Sequence, residues 1–148
     1  MSRDVERSAV FAHLQSVWNS AADGPLAIPN LPFNTPAKSP FADVHIVERG
    51  TYRKSLGMNF YKRFENTLQV DMYSPADSGT KRSRATADRL EDIYQDLILP
   101  LTDGETVIFG TPSSRTLALN EQRAANLDDN WDRYMFEVPY YRDQQVEK

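Results

Sequence analysis

The stretch FYKRFENTLQVDMY, residues 60–73, alternates apolar and polar side chains with the two-residue period of a strand. Phe64, Leu68, Val70 and Met72 point one way and Glu65, Thr67, Gln69 and Asp71 the other, the pattern of a half-buried strand in an antiparallel sheet. A β-prone run at Phe41 to Val47 precedes it. Glu48 to Asn59 lies between them, with Gly50 and Gly57 as turn residues, and reads as a long hairpin loop. Downstream, Thr106 to Phe109 makes a short buried strand and Thr116 to Leu119 offers another. Trp131 to Tyr141 closes the set, with Tyr134, Phe136, Val138 and Tyr140 sharing one face.

Two helices flank these strands. From Asp4 to Ala21, Val5, Ala9, Val10, Leu14, Val17 and Trp18 recur at helical spacing, and Asp23-Gly24-Pro25 ends the run. From about Thr80 to Leu99 the stripe is Ala87, Leu90, Ile93, Tyr94, Leu97 and Ile98, with Pro100 as the stop. Between the first helix and the first strand fall prolines 25, 29, 32, 36 and 40, so that segment is an edge strand or an extended wrap over a neighbour. The two apolar stripes and the even-numbered strand faces are buried together if both helices pack on one face of the sheet. The expected fold is therefore α+β, a two-layer sandwich with a mainly antiparallel sheet of four to five strands. It forms one domain over residues 1–148, with a polar, frayed tail from about Gln144.

Composition narrows the chemistry. The chain has 148 residues, 40% of them hydrophobic and 26% charged, and its apolar runs are too short to span a bilayer. With no cysteine there is no disulfide, thiolate metal site or cysteine nucleophile. The N-terminal residues lack a secretory h-region, so synthesis in a cytosol is expected. A net charge of −4 rules out a broadly basic nucleic-acid coat.

No motif carries catalysis. Ser74 to Ser83 sits where a phosphate-binding loop would, but Ser74 replaces the first glycine and Thr80 separates Gly79 from Lys81. Asp128, Asp129 and Asp132 lack the spacing and glycine of a calcium loop and read as a turn. His13 and His45 stand beside no nucleophile motif and read as surface or packing residues. Gly110 to Thr116 has no nucleophile elbow, so it reads as a loop or an interface that includes Arg115. No enzyme, cofactor or metal is expected.

Charge is distributed unevenly instead. Arg49, Arg53, Lys54, Lys62 and Arg63 in the hairpin stand against Glu48 alone, a local balance of +4, whereas residues 121–148 carry −3. Opposed patches of this kind suit head-to-tail self-association, and equally read as two solvated loops. Lys81, Arg82 and Arg84, with Arg89, crowd a helix start where the macrodipole favours negative charge. Asp77, Asp88, another subunit's carboxylates or a phosphate would compensate them.

The order of local features resembles a known family. Ile28-Pro29-Asn30-Leu31-Pro32-Phe33, Pro36 and a strand ending near Gly50 are followed by Ser55-Leu56-Gly57. Then come Leu68-Gln69-Val70-Asp71-Met72-Tyr73-Ser74-Pro75 and Ser78-Gly79-Thr80 before a helix. Over about positions 4 to 142 this series resembles the tail terminator, or tail completion, proteins of long-tailed bacteriophages, although Leu119 to Asp129 has no counterpart.

The resemblance implies a virion protein, assembled in the host cytoplasm into a homo-oligomeric ring, commonly of six, on the head-proximal end of the tail tube. Its implied partners are its own copies, the tube protein and a head-completion or connector protein, with genome DNA passing through the lumen and no membrane. Arg49, Arg53, Lys54, Lys62, Arg63, Lys81, Arg82, Arg84 and Arg115, with Asp128 and Asp129, are the oligomer or lumen contact candidates. A neck or head-completion ring protein is one alternative. Another is a small ligand-binding domain with a pocket between helices and sheet using Tyr94, Trp131 or His45. A third is a nucleic-acid-binding module built on the basic hairpin with Tyr52, Phe60 and Tyr61.

Overall fold

A computed structural model of the chain describes residues 2–29, 33, 39–53, 57, 60–75, 81–116 and 131–146. Helix α1 (Ser2–Val17) and the one-turn α2 (Ser20–Asp23) lead into strand β1 (Leu26–Ala27), then β2 (Phe41–Arg53) and β3 (Phe60–Pro75). Helix α3 (Lys81–Tyr94) follows, then β4 (Ile98–Pro100), β5 (Thr106–Phe109), β6 (Ser113–Thr116) and β7 (Trp131–Val146). The strands form a curled sheet in the order β1-β2-β3-β7-β5-β4, with β6 also on β7, and every pairing except β1 with β2 is antiparallel. The class is α+β as expected, but the sheet has seven described strands rather than four or five. Among the described residues no helix is long and apolar enough to cross a membrane.

The even-numbered faces of β2, β3 and β7 supply Ala42, Val44, Leu68, Val70, Met72, Phe136, Val138 and Tyr140 to the core. Helix α1 adds Val10 and Leu14, followed by Trp18, and α3 adds Ala87, Leu90 and Tyr94, so the first stripe and the second as far as Tyr94 are buried against the sheet, whereas Ile98 is exposed on β4. Tyr94 meets Phe109 edge-on with ring centroids 5.0 Å apart. The proline-rich segment starts as the edge strand foreseen for it. Trp18 Nε1 donates to Gly24 O at 2.9 Å, and Ala42 N donates to Pro25 O at 3.0 Å.

Five boundaries differ from the sequence reading, the first being that α1 ends at Val17 and Ser20–Asp23 forms a separate turn, where one helix from Asp4 to Ala21 is expected. β2 continues to Arg53, because Gly50 to Arg53 pair with Glu65 to Lys62, so residues 48–53 of the expected loop 48–59 are strand. Helix α3 stops at Tyr94 rather than near Leu99. Asp96 adopts φ 56°, and Leu97 O accepts Phe109 N at 2.9 Å, drawing the following residues into β4. Strand β6 lies at Ser113–Thr116 rather than 116–119, of which residues 117–119 lie outside the described ones. β7 runs on to Val146, where it pairs with Phe60, so Gln144 to Val146 are sheet and not a frayed tail.

Candidate functional site

Past Arg142, where β5 pairing ends, the ends of β2, β3 and β7 continue as a three-stranded ribbon. At its root, Glu48 faces Asn66 and Gly50 faces Glu65, leaving Arg49 as the extra residue of a β-bulge. The bulge turns Arg49 so that its Nε donates to Thr67 Oγ1 at 3.1 Å. It also reverses the facing of β2. Thr51 now opposes Phe64, and Tyr52 opposes Arg63 and donates its hydroxyl to Glu65 at 2.7 Å.

The ribbon's cations therefore have different surroundings. Arg63 is bidentate on Asp143, at 2.8 and 3.0 Å, and lies 3.9 Å over the Tyr141 ring, so its charge is matched within the chain. Arg53 and Lys62 are exposed and directly opposite each other, on the same face as Phe60 and Phe64. Tyr52 and Tyr61 are 45% and 47% exposed. Lys54, Asp128 and Asp129 lie outside the described residues.

The remaining candidates are not brought to this ribbon. Lys81, Arg82 and Arg84 are exposed on the first turn of α3, which follows the far end of β3, roughly 40 Å along the strand. Arg115 is exposed on β6. An unforeseen carboxylate serves this helix: Asp23 accepts from Thr86 Oγ1 at 2.8 Å and pairs with Arg89. Nor do the described residues of 121–148 form an acidic surface. β7 is central, Arg142 is fully buried and Asp143 is matched to Arg63.

The acidic site is elsewhere, and the sequence reading missed it. On the face of the sheet away from the helices, Asp43 and Asp71 are directly opposed across the β2–β3 ladder. His45 Nδ1 is 4.0 Å from Asp43 Oδ1 and 3.9 Å from Asp71 Oδ2, and the His45 and Asp43 side chains each keep 41% of their surface exposed. Asp71 is buried and accepts from Arg133 Nη2 at 2.7 Å. Asp43 Oδ1 is buried without a hydrogen-bond partner. Burial first, and the Asp71 charge second, push the Asp43 carboxyl up to about 6. One ligand atom from each of Asp43, His45 and Asp71 lies within 4.8 Å of the others, a geometry that admits a positive charge, and Arg133 already supplies one. Only the register, which aligns residues 28 positions apart, reveals this cluster.

A cleft of about 230 Å³ opens between α1 and the ribbon root, lined by Glu6, Arg7, Glu48, Arg49, Asn66 and Tyr140 among others. Beside it Arg142 donates through Nε to Glu6 at 2.8 Å and through Nη1 to Glu105 at 2.6 Å. Asn66 Nδ2 donates to the other Glu6 oxygen at 2.7 Å. Tyr94 and His45 do not share a pocket. Tyr94 is in the core, hydrogen-bonded to His13 Nδ1 at 3.0 Å, while His45 is on the opposite face.

Comparison with known proteins agrees with this architecture. One solved structure superposes with a TM-score of 0.71 over 100% of this chain and 99% of its own length at 20% sequence identity, a likeness of fold. None of the curated proteins matches. A family model described as phage tail terminator protein matches residues 7–124, from α1 past β6. The chain belongs to the phage tail terminator family, and with it to the structural components of a bacteriophage tail.

Proposed function

We propose that this chain is the subunit of a homohexameric ring that caps the head-proximal end of the tail tube, stops tube growth and presents a docking surface to the head-completion or connector protein. The observation that carries the reading is the family match across residues 7–124. The subunit's shape supports it. A hydrogen-bonded ribbon with Arg53 and Lys62 on one face and Tyr52 and Tyr61 on the other reaches past the body of the domain, as an arm toward a neighbour would. A second cationic patch, Lys81, Arg82 and Arg84, sits toward the opposite end, where a different partner is met. In this reading the chain is a single domain that performs no catalysis. It assembles in the host cytoplasm and remains in the virion while the genome passes through its lumen.

The test is genetic and structural together. Phage unable to make this chain should produce tubes of uncontrolled length that do not join heads, seen by negative stain. Tails of normal length joined to heads would overturn the reading. Native mass spectrometry over a concentration series, with purified tail tubes added in a parallel series, should give a closed hexamer.

A further inference from the structure

Two pairs of like charges face each other across the same β2–β3 ladder. Asp43 stands opposite Asp71 toward one end and, beyond the bulge, Arg53 stands opposite Lys62 toward the other. Like charges directly opposed destabilise a sheet, a cost offset in part because Arg53 donates to Gly57 O and lies 4.0 Å over the Phe60 ring while Asp71 accepts from Arg133. Both pairs reach solvent, since Arg53 and Lys62 are exposed and Asp43 is partly so. They are separated by about 30 Å of strand.

The two pairs also lie on opposite faces. Lys62 shares the face of Phe64, with its Nζ 5.9 Å from that ring, whereas Asp43 and Asp71 share the face of His45 and Arg133. One partner cannot cover both faces of a sheet, so complementary contacts at the two pairs require two neighbours. That is a heterologous, head-to-tail contact, the kind that closes into a ring.

The acidic pair has a defined deficit. Arg133 pairs with Asp71, whereas Asp43 Oδ1 is buried without a hydrogen-bond partner, its nearest cationic neighbour being His45 Nδ1 at 4.0 Å. An ammonium or guanidinium arriving from outside meets the exposed part of the Asp43 carboxylate and brings a charge to the pair.

We propose that Arg53 and Lys62 of one copy seat on Asp43, Asp71 and His45 of the next copy, and that this contact is the repeating joint of the ring. The proposal rests on the ring reading above and adds the residues that make the joint. An acidic seat for a basic arm also fixes the order of subunits, because arm on arm and seat on seat repel.

Charge exchange tests it. Lys62→Asp and Asp43→Lys, each alone, should raise the concentration at half-assembly by about tenfold or more in native mass spectrometry and sedimentation, with an unchanged far-ultraviolet spectrum. The double variant should recover assembly to within about threefold of the original chain. An equimolar mixture of the two single variants should also recover it as alternating rings, an outcome that damaged folding cannot produce. Loss of rings with no recovery in either case would overturn the pairing. Single variants that assemble as well as the original chain would overturn the joint and leave the ring standing. An original chain that stays monomeric with and without tail tubes would overturn both.

Discussion

Arg142 Nε donates to Glu6 Oε2 at 2.8 Å across 136 residues of chain, joining β7 to the first turns of α1 with neither side chain open to solvent. The same guanidinium reaches Glu105 in the β4–β5 turn and lies 4.3 Å from the centre of the Phe64 ring. Removing one member of such a group leaves the others buried and unmatched. Arg142→Met should therefore lower unfolding free energy by about 3–5 kcal/mol in urea titrations. A loss below about 1 kcal/mol would mean that water reaches these carboxylates.

The Asp43 carboxyl gives a signed pH effect. Its pKa rises from the model-compound value of 3.8 to about 6, so between these limits the folded chain holds the proton more tightly than the unfolded one. The stabilising contribution is full below about pH 4 and is lost as pH rises through 6. Thermal melts of Asp43→Asn and the original chain, made below the assembly concentration, should coincide near pH 4. By pH 7 they should diverge in favour of the variant by about 1 kcal/mol, after allowance for solvent screening at this partly exposed side chain.

His13 titrates in the opposite sense. Burial lowers its pKa below 6.5, so the folded state favours the neutral ring, and stability falls as pH drops through 6.5 toward the lowered value. Tyr94→Phe removes the 3.0 Å hydrogen bond to this ring and should cost about 1 kcal/mol. Loss of the acid-side slope in His13→Gln, followed by melts from pH 7 to pH 5, would identify the ring as its source.

Gly24 anchors the proline-rich segment. Its φ is +86°, and a Cβ there would stand 2.6 Å from Pro40 O, which is backbone and cannot swing aside. Gly24→Ala should destabilise by about 2 kcal/mol or more. It should also raise proteolysis around residues 25–40, read by limited digestion and mass spectrometry.

The sequence disclosed the fold wherever burial on one face imposed a period. Leu68, Val70 and Met72 alternate because the other side of β3 is polar, and Leu14 and Leu90 recur because each helix buries one stripe. Legibility ended where pairing, not burial, makes the structure. Gly50 to Arg53 are exposed and carry no period, so only their hydrogen bonds to β3 make them strand. Leu97 and Ile98 continue the phase of the α3 stripe, and the left-handed Asp96 together with the β5 edge redirects them. The cationic ribbon was legible from composition. The acidic cluster was not, since Asp43 and Asp71 become neighbours only through register, and the burial of Glu6 requires an arginine 136 residues away.

The late position of β7 in the chain has a consequence in time. β7 is the middle of the sheet, joined along its whole length to β3 and on its other side to β5 and β6. A nascent polypeptide still lacking residues 131–146 has a hairpin with an open edge and no seat for Glu6, so its folding waits on long-range closure. Translation thus sets a clock. Under the proposed function, a chain still on the ribosome takes no part in ending tube growth, and only finished molecules do.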